Sequence, residues 1–333
     1  MNSLSIALCT RNGARYLEEQ LWTLRSQAGV AEIVVVDDAS TDRTWEILRR
    51  HAATDPRFRL FRNPDQLGVT ANFERAISLV RSDWVALADQ DDLWLADKLA
   101  RMRAAWDGCA DLIHHATHKF WDVPPMTLPS PAGERRKFAG DDLRRLLYRN
   151  TIVGHTVVAR TRVVRGLMPF PPEVPHDWWI GAGAALRGGV QYVDEYLVHY
   201  RIHAHNAYHA AGSRWRRLQA EHGLRLEFLR ALAKRTELAD HEAAFVNEYR
   251  RLLEEAAARV FPWALARFYH RHAAALFCEG AFSVSSFRCL RKSGLAALGA
   301  VALGSPAAGE PAPVGRPRVP PGESRENELQ RTG

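Results

Sequence analysis

The chain has 333 residues, 47% of them hydrophobic, and a formal net charge of +7. That length and apolar content exclude a disordered chain and allow one large domain with an appendage. The positive balance favours anions as ligands, whether nucleic acid, phosphorylated small molecules or a membrane surface, and does not choose among them.

The first half alternates short β-branched runs with helical periodicity, the pattern of a parallel sheet covered by helices. "SIALCT" (5–10) reads as a first strand. From Gly13 to Gln27, Leu17, Leu21 and Leu24 fall on one face of an amphipathic helix. "EIVVVDD" (32–38) is a second strand, apolar at consecutive positions because helices cover both its faces, and it ends in two aspartates. Ser40 or Thr41 is the expected N-cap of the next helix, and "RFRLF" (57–61) gives a third strand. "TANFERAISLV" is then a helix with Phe73, Ile77 and Val80 inward, and "DWVALAD" (83–89) is a fourth strand.

Two strands thus deliver carboxylates to one edge. Ligands of open α/β sheets bind outside the carboxyl ends of the strands, so Asp37, Asp38, Asp89 and Asp91 are expected to share a cleft. Further on, 111–120 is a candidate strand, 141–149 a short helix and "TIVGHTVVA" (151–159) another strand, with the sheet mixed in this part. After Tyr208 the chain turns to long helical stretches rich in Ala, Leu, Arg and Glu. From Gly304 onward it holds six of its 17 prolines and almost no large apolar residue, the composition of a disordered tail.

Asp89-Gln90-Asp91 places two carboxylates around one residue at a strand end, a pattern suited to a hard divalent cation, Mg²⁺ or Mn²⁺. Such an ion bridges phosphates and neutralises a diphosphate leaving group. The pair alone is a weak signal, since acidic turns are common on surfaces. The apolar strand before it and "LW" after it argue against a merely solvated turn.

Together, "SIALCTRNGARYLEEQLWTLRSQ", "EIVVVDDASTDRTWEIL" and "DWVALADQDDLWLADKL" resemble, in order and at similar separations, the opening signatures of inverting glycosyltransferases of family 2. The resemblance covers roughly residues 4 to 205. It implies an α/β GT-A fold: a Rossmann-like mixed, mostly parallel sheet flanked by helices, followed here by a C-terminal helical appendage. The expected divisions are a catalytic domain over 1–210, a helical region over 211–303 and a disordered tail over 304–333. The resemblance assigns Thr10, Arg11 and Asp38 to the nucleotide pocket, Asp89 to the ribose side and Asp91 to the metal. An ionised Asp38 only accepts hydrogen bonds, so it suits the imide N–H of uracil or thymine. Asp37 reads as structural, and Asp92 as a residue that caps or solvates the turn.

"PFPPEVPHDWWIGAGAALRGG" is similar to the family's acceptor-side segment, which makes Asp177 the catalytic base that takes the acceptor's proton in an inverting transfer. A helix cap is the competing role for Asp177. Trp178 and Trp179 could face a sugar, but adjacent helical positions point apart, so at least one belongs to the core. "LVHYRIHAHN" (197–206) resembles the YR-x-H end of the last core strand in rhamnosyltransferase-like members. That makes Arg201 a diphosphate ligand and His203 a metal ligand. Strand alternation puts His199, Arg201, His203 and His205 on one face, with His199 and His205 peripheral.

Other features have plainer readings. His114, His115 and His118 lack a cysteine or acidic partner at zinc spacing and read as a partly solvated strand. Cys9, Cys109, Cys278 and Cys289 form no CxxC pair, which suits reduced thiols. The start "MNSLSIALCTRNG" has no signal-peptide pattern, which points to the cytoplasm. "GLAALGAVALG" from Gly294 is shorter than the ~20 residues of a spanning helix, and with basic stretches such as 214–219 it suggests peripheral contact with the inner face of a membrane, not nucleic acid. The expected activity is hexosyl transfer, with a lean towards L-rhamnose, from a UDP- or dTDP-sugar to a glycan or lipid-linked acceptor of cell-surface polysaccharide. The rivals are a nucleotidyltransferase, disfavoured because "TRNGARYLEE" is no Gly-rich loop, and a degenerate sugar-nucleotide binding module that recruits partners.

Overall fold

The computed structural model describes residues 1, 3–121, 123–124, 137–203, 214–256 and 262–277, with 214–219 as backbone. Strands β1 (Leu4–Thr10), β2 (Glu32–Asp37), β3 (Phe58–Arg62) and β4 (Trp84–Ala88) alternate with helices α1 (Leu17–Arg25), α2 (Thr44–Ala52) and α3 (Val69–Leu79). Then come β5 (Leu93–Trp94), α4 (Lys98–Ala105), β6 (Leu112–Phe120), α5 (Arg144–Leu147), a 3₁₀ turn (Gly154–Thr156) and β7 (Val158–Arg160). Helices α6 (Thr161–Arg165) and α7 (His176–Ala185) precede the long strand β8 (Val190–Arg201). Four helices close the described chain: α8 (Arg214–Leu232), α9 (Asp240–Ala256), α10 (Trp263–Arg271) and α11 (Ala273–Leu276).

The strands form one eight-stranded sheet in the order β3-β2-β1-β4-β7-β6-β8-β5. β1 to β4 are mutually parallel, β7 runs antiparallel to β4 and β6, and β8 returns parallel to β6. The sheet is therefore mixed and mostly parallel, as expected. The chain first moves outward from β1 through β2 to β3 and then crosses to β4 on the other side. This leaves a switch point between the carboxyl ends of β1 and β4, where loops diverge and a crevice opens.

Both faces of the sheet are covered. On one, Ile6, Leu8, Ile33 and Val35 meet Leu17, Leu21 and Leu24 of α1. On the other, Ala7, Val34 and Val36 meet Phe73 and Ile77 of α3 and Val80 just after it. The C-terminal helices join this second core, with Phe228 of α8 stacked on Trp178 of α7 at 4.3 Å. Burying both tryptophans there corrects the notion that one could lie against a sugar: Trp178 and Trp179 are 5% and 3% exposed, and their indole N–H groups donate to the carbonyls of Leu146 and Leu167.

Local expectations fail at four places. Helix α2 starts at Thr44, later than a Ser40 or Thr41 cap would put it, because the Ser40 hydroxyl is drawn to Asp37 at 2.5 Å while Asp42 accepts from the Thr44 amide. Most of 151–159 is not strand; Gly154–Thr156 forms a 3₁₀ turn, and only the end pairs with β4. His114 and His115 are each 1% exposed, not solvated; burial pushes His114 down to about 4, so it stays neutral and bonds the Phe138 carbonyl. Strand β8 ends at Arg201, so His203 lies beyond it, and His205 lies outside the described residues. The divisions expected at 210/211 and 303/304, the apolar segment from Gly294 and the Pro-rich tail also lie outside them. Among the described residues, no helix is long and apolar enough to cross a membrane.

Candidate active site

A cleft of about 310 Å³ opens at the switch point, lined among others by Thr10, Arg11, Asp38, Asp89, Gln90, Asp91, Gly154, His155, His176, Asp177 and Tyr200. Six residues expected from the sequence, Thr10, Arg11, Asp38, Asp89, Asp91 and Asp177, therefore meet at one surface. Two others, Arg201 and His203, stand behind it.

The ends of β1 and β2 form the first wall. Asp37 is fully buried and accepts from Thr10 Oγ1 at 2.9 Å and from the Ser40 amide and hydroxyl, which gives it the structural role expected of it and ties Thr10 to β2. Asp38 braces the turn that leads into α3. Its Oδ1 accepts from Asn63 Nδ2 and the Leu67 amide, both at 2.7 Å, and its Oδ2 from the Gly68 amide at 3.0 Å. A carboxylate has about four acceptor positions, so one on Oδ2 is left for a ligand. Gly68 has φ +88°, a conformation that disfavours a side chain, and the amide it aims at Asp38 leads straight into α3. Asn12 and Ala39 also hold positive φ, at 46° and 54°, beside the same cleft, the sparsely populated backbone that gathers at functional sites.

Gln90 locks this wall to the next. Its Oε1 accepts from the Arg11 amide at 2.8 Å and its Nε2 donates to the Arg11 carbonyl at 3.0 Å, so a side chain continues the β1 to β4 pairing past the strand ends. The Arg11 guanidinium donates to the Asp38 and Ala39 carbonyls.

The acidic loop after β4 forms the floor. His155, 1% exposed, places Nδ1 3.2 Å from Asp89 Oδ2 and 2.9 Å from Asp92 Oδ2. Burial alone would keep this ring neutral, but the flanking carboxylates push it up to about 10, so it is an imidazolium at neutral pH. Burial pushes Asp89 up as well, and its bond to His155 more than reverses this, holding it below the usual carboxylate range. Asp92 is 0% exposed and accepts from the Arg201 amide, so it supports the loop from inside and is not a solvated turn residue. Underneath, Lys98 is fully buried, donates to the His155 carbonyl at 2.6 Å and lies 3.4 Å over the Trp94 ring.

Asp91 is different. Burial, with Asp92 and Asp89 beside it, pushes it up to about 8, and its Oδ2 lies 2.8 Å from His203 Nε2. Burial and the neighbouring carboxylates therefore disfavour a further negative charge on this loop. The oxygen and nitrogen donors that Asp91 and His203 bring together are of the kind that suits a hard divalent cation. Ligand atoms of Asp89, Asp92 and His155 also lie within 4.8 Å of one another, although the His155 proton between two carboxylates makes this trio a salt-bridged support.

Arg201 does not reach the cleft as a diphosphate fork. Its guanidinium pairs with Glu19, donates to the Asp91 carbonyl at 3.0 Å and lies 4.6 Å from the Tyr16 and Phe120 rings, so it holds the acidic loop in place. His199 packs against His118 and Phe120, on the periphery as expected.

Asp177, in the first turn of α7, forms the opposite wall. Oδ1 accepts from Asn150 Nδ2 at 3.0 Å and the Trp178 amide at 2.7 Å, and Oδ2 from the Gly154 amide at 3.0 Å. Burial outweighs these bonds and pushes Asp177 above the carboxylate range. Beside it His176 stacks on Phe73 at 4.0 Å, kept neutral by burial, and neither ring nitrogen has a partner among the described residues. Sequence reasoning missed His155, Gln90 and His176. Gly154, a strand breaker directly before His155, was the available signal for the first.

Comparison with known proteins places this site in context. The chain is 29% identical over 221 residues to an uncharacterized protein of Mycobacterium tuberculosis, covering 62% of this chain and 61% of that relative's length. The fold is similar to that of S. aureus TarS residues 1–349 in complex with UDP-GlcNAc, with a TM-score of 0.58 at 18% identity over 90% of both chains. It is also similar to that of the mannosyltransferase PcManGT from Pyrobaculum calidifontis in complex with GDP-Man and Mn²⁺, with a TM-score of 0.51 at 18% identity over 90% of this chain and 85% of that one. These likenesses establish a GT-A fold. The family model for glycosyl transferase family 2 matches residues 5–164, the segment that spans β1 to β7 and the acidic loop.

Proposed function

We propose that the protein is a metal-dependent inverting glycosyltransferase that moves a hexose from a nucleoside diphosphate sugar to a glycan or lipid-linked acceptor of a cell-surface polysaccharide. The observation that carries this reading is one cleft lined by Asp38, Asp89 and Asp91 on the sheet side and Asp177 on the other. TarS with UDP-GlcNAc and PcManGT with GDP-Man and Mn²⁺ support a nucleotide-sugar donor and a divalent cation, Mg²⁺ or Mn²⁺.

Asp38 binds the base through the free acceptor position on Oδ2, with Thr10 and Arg11 shaping the pocket behind it. Asp89 faces the ribose, and Asp91 and His203 hold the cation. The cation supplies Lewis-acid neutralisation of the charge that develops on the diphosphate. Three of the four acceptor positions of Asp177 are occupied, and the fourth takes the proton from the acceptor hydroxyl. As that proton moves, the acceptor oxygen bonds the anomeric carbon from one side while the bond to the diphosphate oxygen breaks on the other, which inverts the configuration. A raised Asp177 suits this task, because a base nearer the working pH is a stronger one.

L-rhamnose is the donor sugar to which the YR-x-H segment leans. The test is a turnover screen of UDP- and dTDP-sugars, dTDP-L-rhamnose included, read by release of the nucleoside diphosphate. Release that needs a divalent cation supports the reading. Metal-independent release, or none with any donor that binds, contradicts it.

A further inference from the structure

A second cavity, of about 210 Å³, adjoins the cleft and is lined by Tyr148, Arg149, Asn150, Asp177, Glu221 and Arg225 among others. At ~30 Å³ per water it has room for about seven, enough for a charged group with a few carbons attached. Asp177 lines both spaces. A base that takes a proton from one substrate while that substrate attacks another has to face both, so this cavity is where the acceptor hydroxyl is presented.

Arg225 decides what else the cavity takes. It extends from α8 and is 4% exposed; its Nε donates to the Tyr148 carbonyl at 2.7 Å, and its Nη1 lies 2.9 Å from His222 Nδ1. The guanidinium also lies 4.3 Å from the Tyr148 ring and within reach of the Tyr269 hydroxyl. All of these partners are neutral. Among the described residues, the carboxylate that acts on Arg225 is Glu221, which lines the same cavity, is exposed to water and attracts the guanidinium without forming an ion pair with it. Buried charges are as a rule paired, and a guanidinium has five donors in a fork that matches a phosphate or carboxylate. Arg149, exposed at the same cavity, adds a second positive charge.

We propose that this cavity binds an anionic acceptor, a phosphate-bearing polyol or glycan unit whose charge pairs with Arg225 and Arg149 while its hydroxyl faces Asp177. The inference rests on the glycosyltransferase reading above and gives the helical region a task in acceptor choice.

The test is calorimetric titration of the full chain, loaded with UDP and Mn²⁺ so that the donor cleft is filled, with glycerol 3-phosphate and in parallel with glycerol. The expected result is saturable binding of glycerol 3-phosphate and none of glycerol. Arg225→Gln weakens it about ten- to a hundredfold, the scale of a charge-assisted hydrogen bond. Arg149→Gln weakens it severalfold, and Glu221→Gln tightens it, with UDP affinity unchanged throughout. If Arg225→Gln fails to fold, the opposite signs of the two exposed variants still decide. No binding to the UDP-loaded chain, or equal binding by wild type, Arg149→Gln and Glu221→Gln, overturns the proposal and leaves Arg225 as a strut between α8 and Tyr148. A chain that cannot be loaded with UDP refutes the donor reading itself, and this inference with it.

Discussion

If Asp177 is the base of the proposed transfer, replacing it by asparagine separates catalysis from support at this residue. The asparagine oxygen can still accept from Asn150 Nδ2 and the Trp178 amide, but its NH₂ then faces the Gly154 amide, two donors with no acceptor between them. An unsatisfied buried donor costs about 1–3 kcal/mol, so the melting temperature falls by several degrees while the fold persists. Loss of a general base lowers turnover about 10²- to 10⁴-fold. Donor binding, on the far wall, changes little. The assay is steady-state release of nucleoside diphosphate, with UDP affinity and thermal melting measured on the same sample. A folded Asp177→Asn that binds UDP normally and turns over within tenfold of wild type refutes the reasoning, and leaves Asp177 as a brace between α7 and the 150–154 segment.

Further consequences follow from the same geometry. Because burial raises Asp177 and only its ionised form accepts a proton, activity increases as pH rises through a limb above the ~4 of a free carboxyl; a pH–rate profile with its acid limb at 4 or below contradicts this. A Cβ on Gly13 would sit 2.2 Å from Gln90 Oε1, so Gly13→Ala displaces the amide that ties β1 to the acidic loop and weakens UDP binding roughly tenfold, read by titration; unchanged affinity shows that the Gln90 lock is dispensable. Phe228→Ala opens the stack on Trp178 in the shared core and costs about 3–5 kcal/mol in chemical denaturation with one transition; two transitions, or a loss under 1 kcal/mol, would show that α8 is not part of the catalytic core.

The strands and their charged ends were legible because apolar runs that stop at aspartates report two facts at once, burial on both faces and a site at the carboxyl edge. Asp37 and Asp38 illustrate the limit: the sequence separates them only weakly, whereas the structure turns one wholly inward and the other towards the cleft. Contacts that depend on distant pairing were hidden. Gln90 acts on a backbone 79 residues away, and His155 joins Asp89 because Gly154–Thr156 forms a 3₁₀ turn within a segment whose β-branched composition suggests strand. Arg201 was read as a ligand from a motif, yet Glu19 and the Asp91 carbonyl occupy its guanidinium, a competition between partners that spacing along one strand does not reveal.

Calorimetric titration of UDP, dTDP and GDP with and without Mn²⁺, on wild type and Asp91→Ala, decides whether the acidic loop serves a nucleotide and a cation. The expected result is metal-dependent binding of a uracil or thymine diphosphate that is largely lost in Asp91→Ala. Binding that ignores the metal and survives the substitution, or no nucleotide binding under any condition, contradicts it and reduces residues 89–92 to an acidic turn.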